Sequence, residues 1–230
     1  MTTTKGKGHE KESVEVEELV TRSELFIETN SKKIIFGIIA VAVLVAAILG
    51  YKYGYLAPQQ KKAEAAIFKG EYYFGIDSFA LALNGDGIGY EGFNAIIDQY
   101  GNTKTGNLAK AYAGICCYKL GDYEQAIDLL KSFSADDNMV SPTIIGLIGD
   151  CYLDSGNTEE GVSYFEKAAK AADNEVISPV YLKKAGFAYE SLKQYDKAIK
   201  AYQTIKEKYY TSVEASDIDK YITRASALAQ

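Results

Sequence analysis

The chain of 230 residues has no tryptophan, one histidine, three prolines and three cysteines. So few prolines leave little of the turn chemistry that many short strands need, and with nineteen tyrosines and frequent alanine the composition favours an all-α protein. Three cysteines are an odd count, so a disulfide-stapled scaffold is not expected and at least one thiol stays free or pairs externally. A serine or cysteine nucleophile needs a positioned base, yet the single histidine, His9, lies in a polar N-terminal arm, and no Ser-x-x-Lys spacing occurs. There is no basic excess: the formal charge is −6, which argues against a nucleic-acid partner. No enzyme, metal site or cofactor is expected.

Two motifs invite chemistry and do not complete it. In "NGDGIGYEGFNA", aligning Asn84 and Asp86 as calcium ligands puts Ile88 where an oxygen ligand belongs and Ala95 where a bidentate glutamate should stand. A glycine-rich turn is the expectation. "GNTKTGN" places Asn107 after its second glycine, where a phosphate loop requires lysine, and no apolar strand precedes it. The acidic pairs Asp136-Asp137 and Glu159-Glu160 read as solvated turns and helix N-terminal charges.

One long apolar run is present. From Ile34, "IIFGIIAVAVLVAAILGY" carries no charge before Lys52 and, at 1.5 Å per residue, covers roughly 27 Å, the hydrocarbon thickness of a bilayer. A core helix would keep a polar stripe, and a cleaved signal peptide would not follow a 33-residue arm, so a single transmembrane helix over 34–51 is expected. Lys32 and Lys33 on one side, and Tyr51, Lys52, Tyr53 and Tyr55 on the other, suit the two head-group layers. Basic residues flank both ends, so charge alone leaves the orientation open. The arm, 1–33, starts polar and disordered, then turns amphipathic, with Val16, Leu19, Val20, Phe26 and Ile27 on one side of a short helix.

Beyond the span, three stretches align: "AYAGICCYKLGDYEQAIDLLKSF", "GLIGDCYLDSGNTEEGVSYFEKA" and "KKAGFAYESLKQYDKAIKAYQTI". Their glycines, Gly114, Gly149 and Gly186, recur at the period of a helix-turn-helix repeat. The pattern resembles the tetratricopeptide repeat (TPR) family. The first match is Gly114, Gly121, Tyr123, Ala126 and Leu130; the second is Gly149, Tyr152, Gly156 and Phe165, with Gly161 for the usual alanine. The third is Gly186, Tyr189, Tyr195, Ala198 and Tyr202, with Lys193 in place of the turn glycine. A small residue in each helix lets its partner approach, and the large residue opposite fills the gap. Ser141-Pro142 and Ser178-Pro179 mark helix starts, with serine as the expected cap.

The expected fold is all-α: a transmembrane helix followed by a TPR helix-turn-helix solenoid. Its parts are a degenerate helical hairpin at 52–106, with one helix over 61–83, then three repeats at 107–211 and a capping helix at 212–230. Cys116, Cys151 and Ala188 share one slot, and Cys117 takes that of Tyr152 and Tyr189, so the thiols read as packing residues. First helices of such arrays line a concave groove. Here they offer Ile115, Tyr118, Lys119, Asp150, Leu153, Asp154, Lys183, Phe187 and Glu190 as a protein-binding face. It lacks the basic ring of a carboxylate clamp and suits an extended apolar client or a partner helix. Ile115 and Leu153 fit packing inside the array equally well.

Arm, span and repeats together resemble the YfgM-like family of membrane-anchored TPR proteins. The resemblance extends over "LFIETNSKKIIFGI", and "DSFALALNGDG", "TKTGNLAKAYAGICCY" and "SDIDKYITRASA" are similar to its Bacteroidetes type. The resemblance implies an inner-membrane protein with a cytoplasmic N-terminus and periplasmic repeats. It also implies a non-catalytic accessory role at the SecYEG translocon, with a PpiD-like chaperone or emerging client chains as partners. A scaffold for envelope or cell-division assembly is the alternative.

Overall fold

The computed structural model describes residues 7–230, with side chains from residue 26 onward. The disorder expected at the start of the arm concerns in part residues 1–6, outside the described residues; from Lys7 the backbone is already helical. Two compact units divide at Ala57 and Pro58.

In the first unit, α1 (Lys7–Leu49) runs into a π-helical segment, Gly50–Leu56. Ile35, Phe36, Ile38, Ile39, Val41, Val43 and Leu44 are all exposed. Among the described residues one helix, Phe26–Gly75, is long and apolar enough to cross a membrane, and none of its apolar window is covered by protein. An apolar surface of this extent on every face is stable only in an apolar surrounding. In the π-helical segment Tyr51 and Tyr55 stack with ring centroids 5.6 Å apart.

The second unit is entirely helical among the described residues. Its helices are α2 (Ala57–Gly75), α3 (Phe79–Asn84), α4 (Gly92–Tyr100), α5 (Lys104–Leu120), α6 (Tyr123–Ser132), α7 (Val140–Asp154), α8 (Thr158–Ala172), α9 (Ser178–Ser191) and α10 (Tyr195–Lys208). A 3₁₀ turn, Glu214–Asp217, and α11 (Ile218–Leu228) complete it. Helices α5 and α6, α7 and α8, and α9 and α10 pack in pairs; α7 lies on α6, α9 on α8, and α11 on α10.

Each pair is set by a glycine opposite a large side chain. A Cβ at Gly114 would lie 2.6 Å from Leu130 Cγ, one at Gly149 2.8 Å from Phe165 Cδ1, and one at Gly186 would overlap the Tyr202 ring. Leu130, Phe165 and Tyr202 are fully buried. The turn between paired helices is built alike three times, with Asp122 N–H donating to Cys117 O (2.9 Å), Asn157 N–H to Tyr152 O (2.8 Å) and Gln194 N–H to Tyr189 O (2.8 Å). The residue before each donor is left-handed: Gly121 at φ 83°, Gly156 at φ 89° and Lys193 at φ 58°. A side chain there is strained by about 1 kcal/mol. Lys193→Gly is therefore expected to stabilise the array by up to about 1 kcal/mol, read as a raised urea midpoint, the greater freedom of glycine in the unfolded chain offsetting part of the gain.

Two expectations are corrected. The helix expected over 61–83 breaks at Ile76–Ser78, where Asp77 sits at φ 57°, and α3 folds back so that Phe79 meets Phe74 edge-on at 5.7 Å. Neither serine of the Ser-Pro pairs is a cap. Asp137 accepts from the Met139, Val140 and Ser141 amides at the start of α7, and Asn174 Oδ1 accepts from the Val176 and Ile177 amides before α9. Ser178 lies inside α9, its hydroxyl donating to Ala169 O at 2.8 Å. Both serines already lie within their helices, past the position from which a side chain reaches the free amides of the first turn, so residues upstream take that role.

Candidate protein-binding face

The three thiols are fully buried and unpaired. Burial pushes Cys116 up to about 12, Cys117 to about 11 and Cys151 to about 12, so almost no thiolate exists near neutrality. Cys117 Sγ donates to Gln125 Oε1 at 3.2 Å. These are packing groups.

The glycine-rich loop is closed by its own aspartate. Asp86 Oδ1 accepts from the Ile88 and Tyr90 amides, both at 2.9 Å, and Oδ2 accepts from Tyr73 Oη at 3.0 Å. These donors hold its carboxyl well below the usual carboxylate range. In "GNTKTGN", Thr103 caps α5, accepting from the Gly106 amide at 2.9 Å. Both stretches are structural turns.

Most polar members of the candidate groove tie one repeat to the next. Tyr118 Oη donates to Asp154 at 2.9 Å, bridging α5 to α7. Lys184 donates to both oxygens of Asp150, at 2.8 and 2.7 Å, bridging α9 to α7. Lys183 reaches Asp217 in the 3₁₀ turn at 2.7 Å. Glu190 accepts from Tyr202 Oη at 2.7 Å and from Arg224 of α11 at 2.9 Å. The C-terminal segment thus takes the place of a further first helix. Burial pushes the Asp150 carboxyl up, with Lys184 opposing.

The remaining members are apolar or solvent-facing. Ile115 and Leu153 are half-buried, Leu153 against the C-terminal core cluster. Lys119 is exposed, with its ammonium 5.8 Å from the Tyr118 ring centre. Phe187, 41% exposed, packs on Tyr221 (5.1 Å) and lines an open cleft of about 300 Å³ with Val180, Lys183, Lys184 and Val213. The structure therefore groups Lys183, Phe187 and Glu190 with the C-terminal segment, and Tyr118, Asp150 and Asp154 with one another. Sequence reasoning missed Lys184, Asp217 and Arg224. Lys184 was within reach, because it stands two residues before the helix glycine, where Tyr112 and Leu147 also stand in inter-repeat positions.

Residues 142–175 and 182–212 each match the tetratricopeptide repeat family. Among solved structures, the chain is similar to the nearly identical TPR-like repeats assigned to a kinesin light chain of Podosopora anserina, and to a single-substitution variant of them. In both, the TM-score is 0.53 at 10% identity, over 73% of this chain and 86% of that one. MamA matches with a TM-score of 0.40 and 21% identity, over 59% of this chain and 88% of its own. No curated protein matches the chain. The helix pairs around Gly149 and Gly186 are thus two tetratricopeptide repeats, within a second unit that has the helical solenoid fold of such arrays.

Proposed function

We propose that the chain is a single-pass membrane protein whose repeats bind other proteins without catalysis. In this reading it is an accessory subunit at the SecYEG translocon, beside a PpiD-like chaperone or the client chains that emerge there. The span is 34–51, with the N-terminus cytoplasmic and the repeats periplasmic. TPR arrays generally mediate protein–protein contacts, and the observation that carries the reading is the open cleft on such an array where the exposed Phe187 and Val213, with Val180, are flanked by Lys183, Lys184, Glu214 and Asp217. The uncovered apolar helix supports the anchor; the translocon and the chaperone rest on the YfgM-like resemblance.

A photo-crosslinking amino acid at Phe187 in the full chain, in its native membrane, tests this. Adducts with translocon subunits, a membrane-anchored chaperone or emerging chains are expected, with none of these from Ile88, an exposed loop position. Adducts confined to unrelated proteins would sink the translocon role, and a stoichiometric adduct with one fixed envelope helix would favour the scaffold.

A further inference from the structure

The repeats reveal what the outer face of α2 is built for. Counting from each first-helix glycine, the residues five before, two before and two after form one stripe: Ala109, Tyr112 and Cys116 in α5, Ile144, Leu147 and Cys151 in α7, and Tyr181, Lys184 and Ala188 in α9. This stripe receives the preceding repeat. Tyr112 stacks on Phe93 of α4 at 5.2 Å, Tyr181 on Phe165 of α8 at 6.2 Å, and Lys184 bonds Asp150 of α7.

In α2 the helix glycine is Gly70, packed against Tyr90 and Phe93, so its stripe is Ala65, Phe68 and Tyr72. No repeat precedes it in the array. Phe68 is 73% and Tyr72 61% exposed, while Ala63, Ile67 and Gly70 on the opposite side are buried in the core. At the other end of the array the equivalent need is met by α11. An apolar end surface on a solenoid calls for a cover, and a stripe of this spacing calls for a helix.

The charges beside the stripe select the helix. Lys62 and Lys69 lie along one flank, and Glu64 and Glu71 along the other; Lys61 bounds the apolar part toward the helix start. With Ala65 and Tyr72 as a positions and Phe68 as d, Lys69 is e and Glu64 is g, five residues apart. That is the spacing of the interhelical g-to-e pair in a parallel two-stranded coil. Two identical helices in parallel therefore place Glu64 of each against Lys69 of the other, and the pairing is self-complementary. In its own chain Lys69 has only a 3.5 Å approach to Asp86, and its side chain is half exposed.

We propose that α2 pairs side by side, in parallel, with α2 of a second copy of this chain. The proposal rests on the membrane-anchored reading, since a shared anchor gives all copies one orientation and raises their local concentration into the range where a helix of five turns can pair. The partner fits the stripe as a preceding repeat would.

Phe68→Cys and Tyr72→Cys in the full-length chain in native membranes test it, because a parallel pair brings each residue against its own copy. Mild oxidation is expected to convert most of either variant to a covalent dimer and to leave Ile88→Cys monomeric; the native thiols are buried and silent. Glu64→Lys should lower dimer yield at Tyr72→Cys about fivefold, and adding Lys69→Glu should restore it. No dimer at either position, equal yield from Ile88→Cys, a disulfide to another protein, or no rescue by the second charge change would each overturn the pairing. Carbonate extraction of the same membranes reads the anchor independently. A chain that resists extraction yet forms no dimer refutes the pairing alone, whereas one that is extracted refutes the anchor.

Discussion

Phe165→Ala is expected to cost about 3–5 kcal/mol, a large part of the whole stability of a domain of this size. Phe165 is fully buried, fills the space left by Gly149 and stacks on Tyr181 of the next repeat. It therefore holds both its own helix pair and the junction to α9. In a solenoid, stability is a sum over repeats and neighbouring interfaces, so its removal weakens two terms together. Chemical denaturation of the full chain, followed by helical circular dichroism, should show an early transition as α9, α10 and α11 part from the rest. Ile88→Ala, a change at a side chain 88% exposed, should stay within about 0.5 kcal/mol. Unfolding of Phe165→Ala at the wild-type midpoint would contradict the packing rule on which the fold was read.

Lys184→Met should cost about 1–3 kcal/mol at neutral pH, through a different route. Methionine keeps an unbranched side chain there but loses the ammonium, which satisfies both oxygens of Asp150 and lies 5.6 and 5.5 Å from the Phe165 and Tyr181 ring centres. Burial already raises the Asp150 carboxyl above its ordinary value, and Lys184 is the group opposing that rise. Without Lys184 it rises further. A carboxyl whose folded pKa is raised binds its proton more readily in the folded state, so its destabilising effect is full above that pKa and fades as pH falls toward about 4. The deficit of Lys184→Met should therefore shrink on acidification from pH 7, and adding Asp150→Leu should remove it. A deficit that is constant with pH would show that packing, not the buried charge, was lost.

These two residues mark the limit of what the sequence makes legible. Gly114, Gly149 and Gly186 recur with Leu130, Phe165 and Tyr202 because helix approach demands a small residue facing a large one, and such pairs are local enough to be read from spacing. The break at Asp77 was not readable, since a non-glycine residue in the left-handed region leaves no mark in a continuous apolar pattern. Nor was the use of Tyr118, Asp150, Lys183 and Glu190 as ties between repeats. Each tie joins residues 34 to 36 apart, and whether a polar side chain on an inner face is free or already bonded depends on the twist that stacks the repeats. The capping role of Asp137 and Asn174 was hidden by the more conspicuous Ser-Pro pairs beside them. What the sequence could offer was the face; which of its groups stay open for a partner, Phe187 foremost, is a property of the assembled array.

The claim on which the functional reading stands is that the N-terminal helix holds the repeats on the far side of the membrane from the cytoplasm. Val213→Cys tests it directly, because Val213 is 83% exposed and the three native thiols are buried and protonated. A membrane-impermeant maleimide added to intact spheroplasts should label the variant fully and leave the wild type unlabelled. Labelling of Val213→Cys only after the spheroplasts are lysed would place the repeats in the cytoplasm and contradict the translocon reading.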